Sequence, residues 1–129
     1  MEISNVKVLY VDDEFLNLRS FELLFKGKFK IYTATNGFDA IEILKKNNIS
    51  VIISDHKMPK ISGVDLLRQV KELKLKNILP IIHSGFPEDE EVQTALKEGT
   101  AKYCLDKPLN EFKLIEIIKE FAKSLQIQT

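Results

Sequence analysis

Cysteine is nearly lacking: Cys104 stands alone in 129 residues. A lone cysteine excludes an internal disulfide and suits a reducing cytoplasm. Neither sign of charge is in excess, with 19 Lys and Arg against 19 Asp and Glu. Nothing in the balance therefore points to direct nucleic-acid binding or to an anionic membrane, although neutrality leaves room for a local patch. No apolar run approaches the roughly 18 residues of a membrane span. The opening Met1-Glu2-Ile3-Ser4-Asn5 lacks a basic stretch followed by an apolar one, so no signal peptide is expected. Internal repeats and low-complexity tracts are also lacking. What remains is the expectation of one cytoplasmic domain over residues 1–129, long enough to bury a core without staples.

Two kinds of segment alternate along it. Short β-branched apolar runs at Val6–Val11, Val51–Ile53, Ile81–His83 and Ala101–Leu105 end in polar or turn residues, as buried strands do. A fifth run, Lys28-Phe29-Lys30-Ile31-Tyr32, alternates lysine with apolar residues and predicts a half-exposed edge strand. Between the runs lie helical periodicities at Phe15–Phe25, Phe38–Leu44, Val64–Leu73 and Glu88–Leu96. Asn110 is a plausible N-cap for a last helix carrying Leu114, Ile117, Ile118, Phe121 and Leu125. Five strand–helix repeats predict a doubly wound α/β domain with a parallel sheet. With the lysine-bearing strand at an edge, right-handed crossovers favour the flavodoxin-like order 2-1-3-4-5.

Chemistry in such sheets gathers beyond the carboxyl ends of the strands, where the order switches between strands 1 and 3. Strand 1 ends in Asp12-Asp13-Glu14 and strand 3 in Ser54-Asp55-His56. Strand 4 ends in His83-Ser84-Gly85 and strand 5 in Asp106-Lys107-Pro108. Singly, each piece has a plain reading as a cap, a turn or a loop. Together they bring Asp12, Asp13 and Asp55 to one rim, with Ser84 beside Asp55 and Lys107 one strand further out. Three converging carboxylates repel, so either some are protonated or a cation neutralises them. Oxygen ligands suit Mg²⁺ better than zinc. An ionised aspartate can attack phosphorus to give an acyl phosphate, and a lysine and a hydroxyl can hold the remaining phosphoryl oxygens. His56 and His83 lack a compact metal-ligand spacing and read as packed or surface residues. Cys104 reads as a small strand hydrophobe. Asp106 should face away from Lys107 by strand alternation.

The stretches Val8-Leu9-Tyr10-Val11-Asp12-Asp13-Glu14, Ser54-Asp55-His56-Lys57-Met58-Pro59 with Gly63, Ser84-Gly85 and Lys107-Pro108 resemble the response-regulator receiver family of bacterial two-component systems. The resemblance covers nearly the whole chain. It implies that Asp55 accepts a phosphoryl group from a histidine kinase or histidine phosphotransfer protein. It implies direct Mg²⁺ contacts from Asp13, Asp55 and the main-chain carbonyl of Lys57, with Asp12 acting mainly through water. Ser84 and Lys107 would bind the phosphoryl group, and the Lys107–Pro108 peptide would be cis. Phosphorylation would shift the surface around strand 4, helix 4 and strand 5 toward a downstream protein target that the sequence does not name. A phosphorylation-dependent homodimer through the last two helices and strand stays open.

The family pattern is not matched everywhere. Its switch aromatic lies three positions before the lysine, where this chain has Cys104; Tyr103 comes one residue earlier, and Gly99 to Lys107 is one residue longer than usual. Either a bulge restores Tyr103 to the switch face or Cys104 occupies it. Lys57 and Phe86 are expected to flank the path of the water that hydrolyses the phosphoryl group, Phe86 slowing it. A stand-alone receiver is preferred to one excised from a longer chain. Two other classes are weighed. A pseudo-receiver would bind partners without phosphorylation, which the complete Asp12, Asp13, Asp55, Ser84 and Lys107 set disfavours. A haloacid dehalogenase-type enzyme would need an Asp-x-Asp loop after the first strand, which Asp12-Asp13-Glu14 does not provide.

Overall fold

The computed structural model describes residues 2–128, with side chains as far as Leu125. Its elements alternate as β1 (Lys7–Val11), α1 (Phe15–Phe25), β2 (Lys30–Ala34), α2 (Gly37–Lys46), β3 (Val51–Asp55), α3 (Gly63–Glu72), β4 (Leu79–Ser84), α4 (Glu90–Lys97), β5 (Tyr103–Asp106) and α5 (Glu111–Gln128). All neighbouring strands are parallel, in the order β2-β1-β3-β4-β5. This is the doubly wound, flavodoxin-like α/β architecture that the alternation predicts.

Local chemistry sets the helix starts. The side chains of Asn36, Ser62 and Asp89 accept hydrogen bonds from the backbone N–H groups of Asp39, Asp65 and Glu91. Asn110 Oδ1 accepts from Lys113 N at 3.1 Å, the cap predicted for the last helix. Each satisfies an N–H that the helix leaves unpaired. Because Asp89 is itself the cap, α4 begins at Glu90 and Glu88 stays outside it.

Two apolar layers sandwich the sheet. Leu9, Val11, Ile52 and Ile82 face α2, α3 and α4, packing with Leu44, Val64, Leu67 and Val92. Val8, Tyr10, Ile53 and Ile81 face α1 and α5, packing with Phe21, Phe25, Leu114 and Ile118. Central β3 is buried along its whole length, as a strand covered on both faces must be. Edge strand β2 is half exposed.

Two boundaries differ instructively from the sequence expectation. β2 starts at Lys30 rather than Lys28. Phe29 stays out of the ladder because its ring joins an aromatic cluster, 5.1 Å from Phe25 and 6.1 Å from Phe21 between centroids. Pairing begins only once Lys30 N donates to Val6 O. In β5, the ladder Ile81–Tyr103, Ile82–Cys104, His83–Leu105 and Ser84–Asp106 is continuous. No bulge restores Tyr103 to the switch face. Tyr103 packs on the α1/α5 side, whereas Cys104 packs on the α4 side.

Candidate phosphoacceptor and metal site

Strand register assembles the site. Val11 pairs with Ser54 and Asp55 with His83, so Asp12, Asp55 and Ser84 emerge at nearly one level of the rim. One carboxylate oxygen from each of Asp12, Asp13 and Asp55 lies within 4.8 Å of the others. Neither histidine belongs to this group. Asp12 is fully buried and Asp55 is 6% exposed, while Asp13 faces solvent. A small cavity of about 200 Å³, lined by Asn36, Met58 and Pro59 among others, opens beside Asp13. Another cavity, of about 630 Å³, lies around Lys46, Asn48 and Asn77, at the opposite end of the sheet from this chemistry.

Lys107 Nζ approaches Asp55 Oδ1 to 2.7 Å. One lysine against three carboxylates leaves an acidic excess. The donor set is hard oxygen throughout, which fits a divalent cation such as magnesium. Asp12 carries the burden of this crowding. Burial raises its carboxyl above the ordinary range, and the Asp55 charge adds to the rise. Opposing the rise, Glu14 N and Asn17 Nδ2 each donate to it at 3.0 Å.

Ser84 is buried beside the cluster. Its Oγ accepts from Phe86 N at 3.0 Å, an ST-type turn that leaves the hydroxyl proton free to donate elsewhere. Lys107 N donates to Ser84 O at 3.2 Å, so the two residues are tied through the main chain. The Lys107–Pro108 peptide is cis, as the resemblance implied.

Gly63 is required by a close crossing. A Cβ there would lie 2.3 Å from Asp55 O and 2.9 Å from His56 Cα, while Gly63 N donates to His56 O at 2.8 Å. The start of α3 is thus pinned directly on the end of β3. Lys57 is exposed, and its ammonium lies 5.4 Å from the centroid of the exposed Phe86 ring. These two side chains meet across the mouth of the site.

Sequence reasoning missed three contacts. Asn17 holds Asp12 from the first turns of α1. His56 is buried, with Nε2 3.2 Å from Glu91 Oε1 and 3.9 Å from Asp89 Oδ1, linking the residue after Asp55 to the start of α4. Tyr10 OH lies 3.1 Å from His83 Nδ1. Asn17 had a usable signal, since it lies one helical turn past the aspartate pair. The two histidine contacts span loops or sheet order and had none.

The family model for the response regulator receiver domain matches residues 8–119. A hydrogenase transcriptional regulatory protein of Bradyrhizobium diazoefficiens is 30% identical over 121 residues, which is 94% of this chain but 25% of that protein. This chain therefore spans about a quarter of that regulator's length. A two-component response regulator of Arabidopsis thaliana is 32% identical over 116 residues, covering 88% of this chain and 81% of the plant protein. Among solved structures, a response regulator receiver domain protein from Clostridium thermocellum aligns with a TM-score of 0.86 at 30% identity, covering 96% of this chain and 99% of its own. Fold and relatives agree, and this chain belongs to the response regulator receiver domain family of two-component systems.

Proposed function

We propose that this receiver is a switch phosphorylated on Asp55, with Mg²⁺ held directly by Asp13, Asp55 and the Lys57 main-chain carbonyl and by Asp12 mainly through water. The observation that carries the proposal is the Asp12, Asp13 and Asp55 cluster with Lys107 on the Asp55 carboxylate. Magnesium, when bound, neutralises the crowded carboxylates and lowers the repulsion between Asp55 and an incoming phosphoryl group. An Asp55 oxygen attacks phosphorus. The P–N bond of a donor phosphohistidine breaks, and its electron pair stays on the imidazole nitrogen. The product is an acyl phosphate on Asp55. Lys107 passes from the carboxylate to a phosphoryl oxygen, and the Ser84 hydroxyl turns to donate to another.

Ser84 sits at the end of β4, next to α4 and β5. Its movement would bias that surface, provided the phosphoryl group makes different contacts in the two states. Cys104 stands at the position of the switch aromatic, on the inner side of that surface, so the proposed moving part is α4. The contact of buried His56 with exposed Glu91 would be remade as α4 shifts. The downstream target is a protein that reads this face.

Receiver domains pair with histidine kinases or phosphotransfer proteins, and such a donor is proposed here too, in the cytoplasm. Support comes from the rim. Phe15, Phe38, Phe86 and Phe112 are all exposed and lie within four residues of the starts of α1, α2, α4 and α5, around the acidic site. Exposed apolar groups gathered round a reactive centre suit a macromolecular donor better than a small one. Phosphoryl transfer from an autophosphorylated histidine kinase panel tests this. Phe15→Ala and Phe38→Ala should slow transfer from the protein donor while leaving reaction with a small phosphodonor unchanged. Equal slowing with both donors would contradict a docking role.

A further inference from the structure

Tyr10 and His83 are polar side chains inside the apolar layer beneath α1 and α5, both more than nine-tenths buried. The Tyr10 ring stacks on Phe21, with centroids 4.2 Å apart and planes within 2°. Packing alone would be satisfied by a phenyl ring there. The hydroxyl instead lies 3.1 Å from His83 Nδ1 and 3.5 Å from Asp12 Oδ2. Asn17 Nδ2 donates to that same Asp12 oxygen at 3.0 Å.

One hydroxyl proton serves two neighbours, so the direction of the chain matters. A buried imidazole favours its uncharged form, in which His83 carries a single N–H. Ionised Asp12 can only accept. With the Tyr10 proton directed to Asp12, His83 Nδ1 is the donor to the Tyr10 oxygen. His83 Nε2 then has no partner, and a bare acceptor is tolerated better in a buried place than an orphaned N–H.

We propose that Tyr10 is a positioning residue for the cation site, orienting the Asp12 carboxylate through its hydroxyl while His83 holds that hydroxyl from β4. This inference rests on the magnesium reading above. It also joins the two halves of the switch, because His83 immediately precedes Ser84 and pairs with Asp55 in the ladder. Groups that orient a metal ligand are commonly worth ten- to a hundredfold in metal affinity.

The test is Mg²⁺ affinity by calorimetric titration with magnesium chloride, paired with thermal unfolding in chelator. Tyr10→Phe keeps the stack on Phe21 and removes only the hydroxyl. It should weaken Mg²⁺ binding about tenfold, with an unfolding midpoint in chelator close to that of wild type. His83→Leu should also weaken binding and should add nothing in a Tyr10→Phe background, because it acts through the tyrosine. A Tyr10→Phe protein that binds Mg²⁺ as tightly as wild type would overturn the inference and leave the metal reading intact. Additive effects of the two substitutions would overturn the relay. Wild-type protein that takes up no Mg²⁺ would overturn both readings together.

Discussion

Lys107 Nζ stands 2.7 Å from Asp55 Oδ1, so the residue proposed to hold the phosphoryl group already holds the proposed phosphoacceptor. The contact joins β5 to β3 across the end of β4. It neutralises one carboxylate in a cluster that is otherwise short of positive charge. On the proposed reading, phosphorylation of Asp55 would exchange one Lys107 contact for another, rather than recruit a distant side chain.

Removing that charge exposes the cost of the cluster. Lys107→Met should lower metal-free stability by roughly 1–3 kcal/mol, since Asp55 is left buried without its cation. Magnesium should restore part of the loss by binding the folded state alone. Denaturant titrations with and without Mg²⁺ check this, and an equal loss under both conditions would count against a shared electrostatic site.

Gly63 gives a steric prediction. The contacts a Cβ would make are with backbone atoms of Asp55 and His56, so no side chain can swing aside. Gly63→Ala should destabilise the protein by about 3 kcal/mol and slow Asp55 phosphorylation by displacing the strand end. Chemical denaturation and phosphorylation kinetics read the two effects. A variant with wild-type stability would show that α3 can move without cost.

Phe86 and Lys57 meet over the mouth of the site. An aromatic ring there should obstruct the water that attacks the acyl phosphate. Phe86→Ser should shorten the phosphoryl lifetime severalfold, measured by the decay of the phosphorylated mass after donor removal. An unchanged lifetime would reduce Phe86 to a surface aromatic at the approach to α4.

Stability should depend on pH through His83. Its folded value is pushed from 6.5 down to about 4 by burial and then by Lys107. The unfolded chain takes up the proton first, so the contribution is whole above about 6.5 and is lost as pH falls toward 4. The slope is at most about 1.4 kcal/mol per pH unit in that window. Asp12, raised by burial, acts in the opposite sense, favouring the folded state at lower pH. Unfolding titrations between pH 7 and pH 5 should therefore flatten in His83→Leu. An identical pH slope in wild type and variant would remove His83 as the cause.

The strand order and rim residues were legible because each strand ends abruptly in polar groups. A lysine-alternating run also marked the edge. Other features depend on three-dimensional partners that no local pattern encodes. Phe29 looks like strand by alternation, but Phe21 and Phe25 claim its ring. The face taken by Tyr103 depends on register against β4, which fixes Cys104 toward α4. Gly63 was visible as a motif residue, but its reason is the carbonyl of Asp55 passing where a side chain would be. Tyr10 and His83 are separated by 73 positions and meet only through the 2-1-3-4-5 order.

The most direct measurement is the intact mass of the protein after incubation with a small phosphodonor, with and without Mg²⁺, alongside Asp55→Asn. The account predicts a magnesium-dependent gain of one phosphoryl group in wild type and none in the variant. A gain that survives Asp55→Asn would contradict the assignment of the phosphoacceptor. No gain from small donors or from a broad panel of phosphorylated histidine kinases would contradict the switch and leave a receiver fold that binds its partners unphosphorylated.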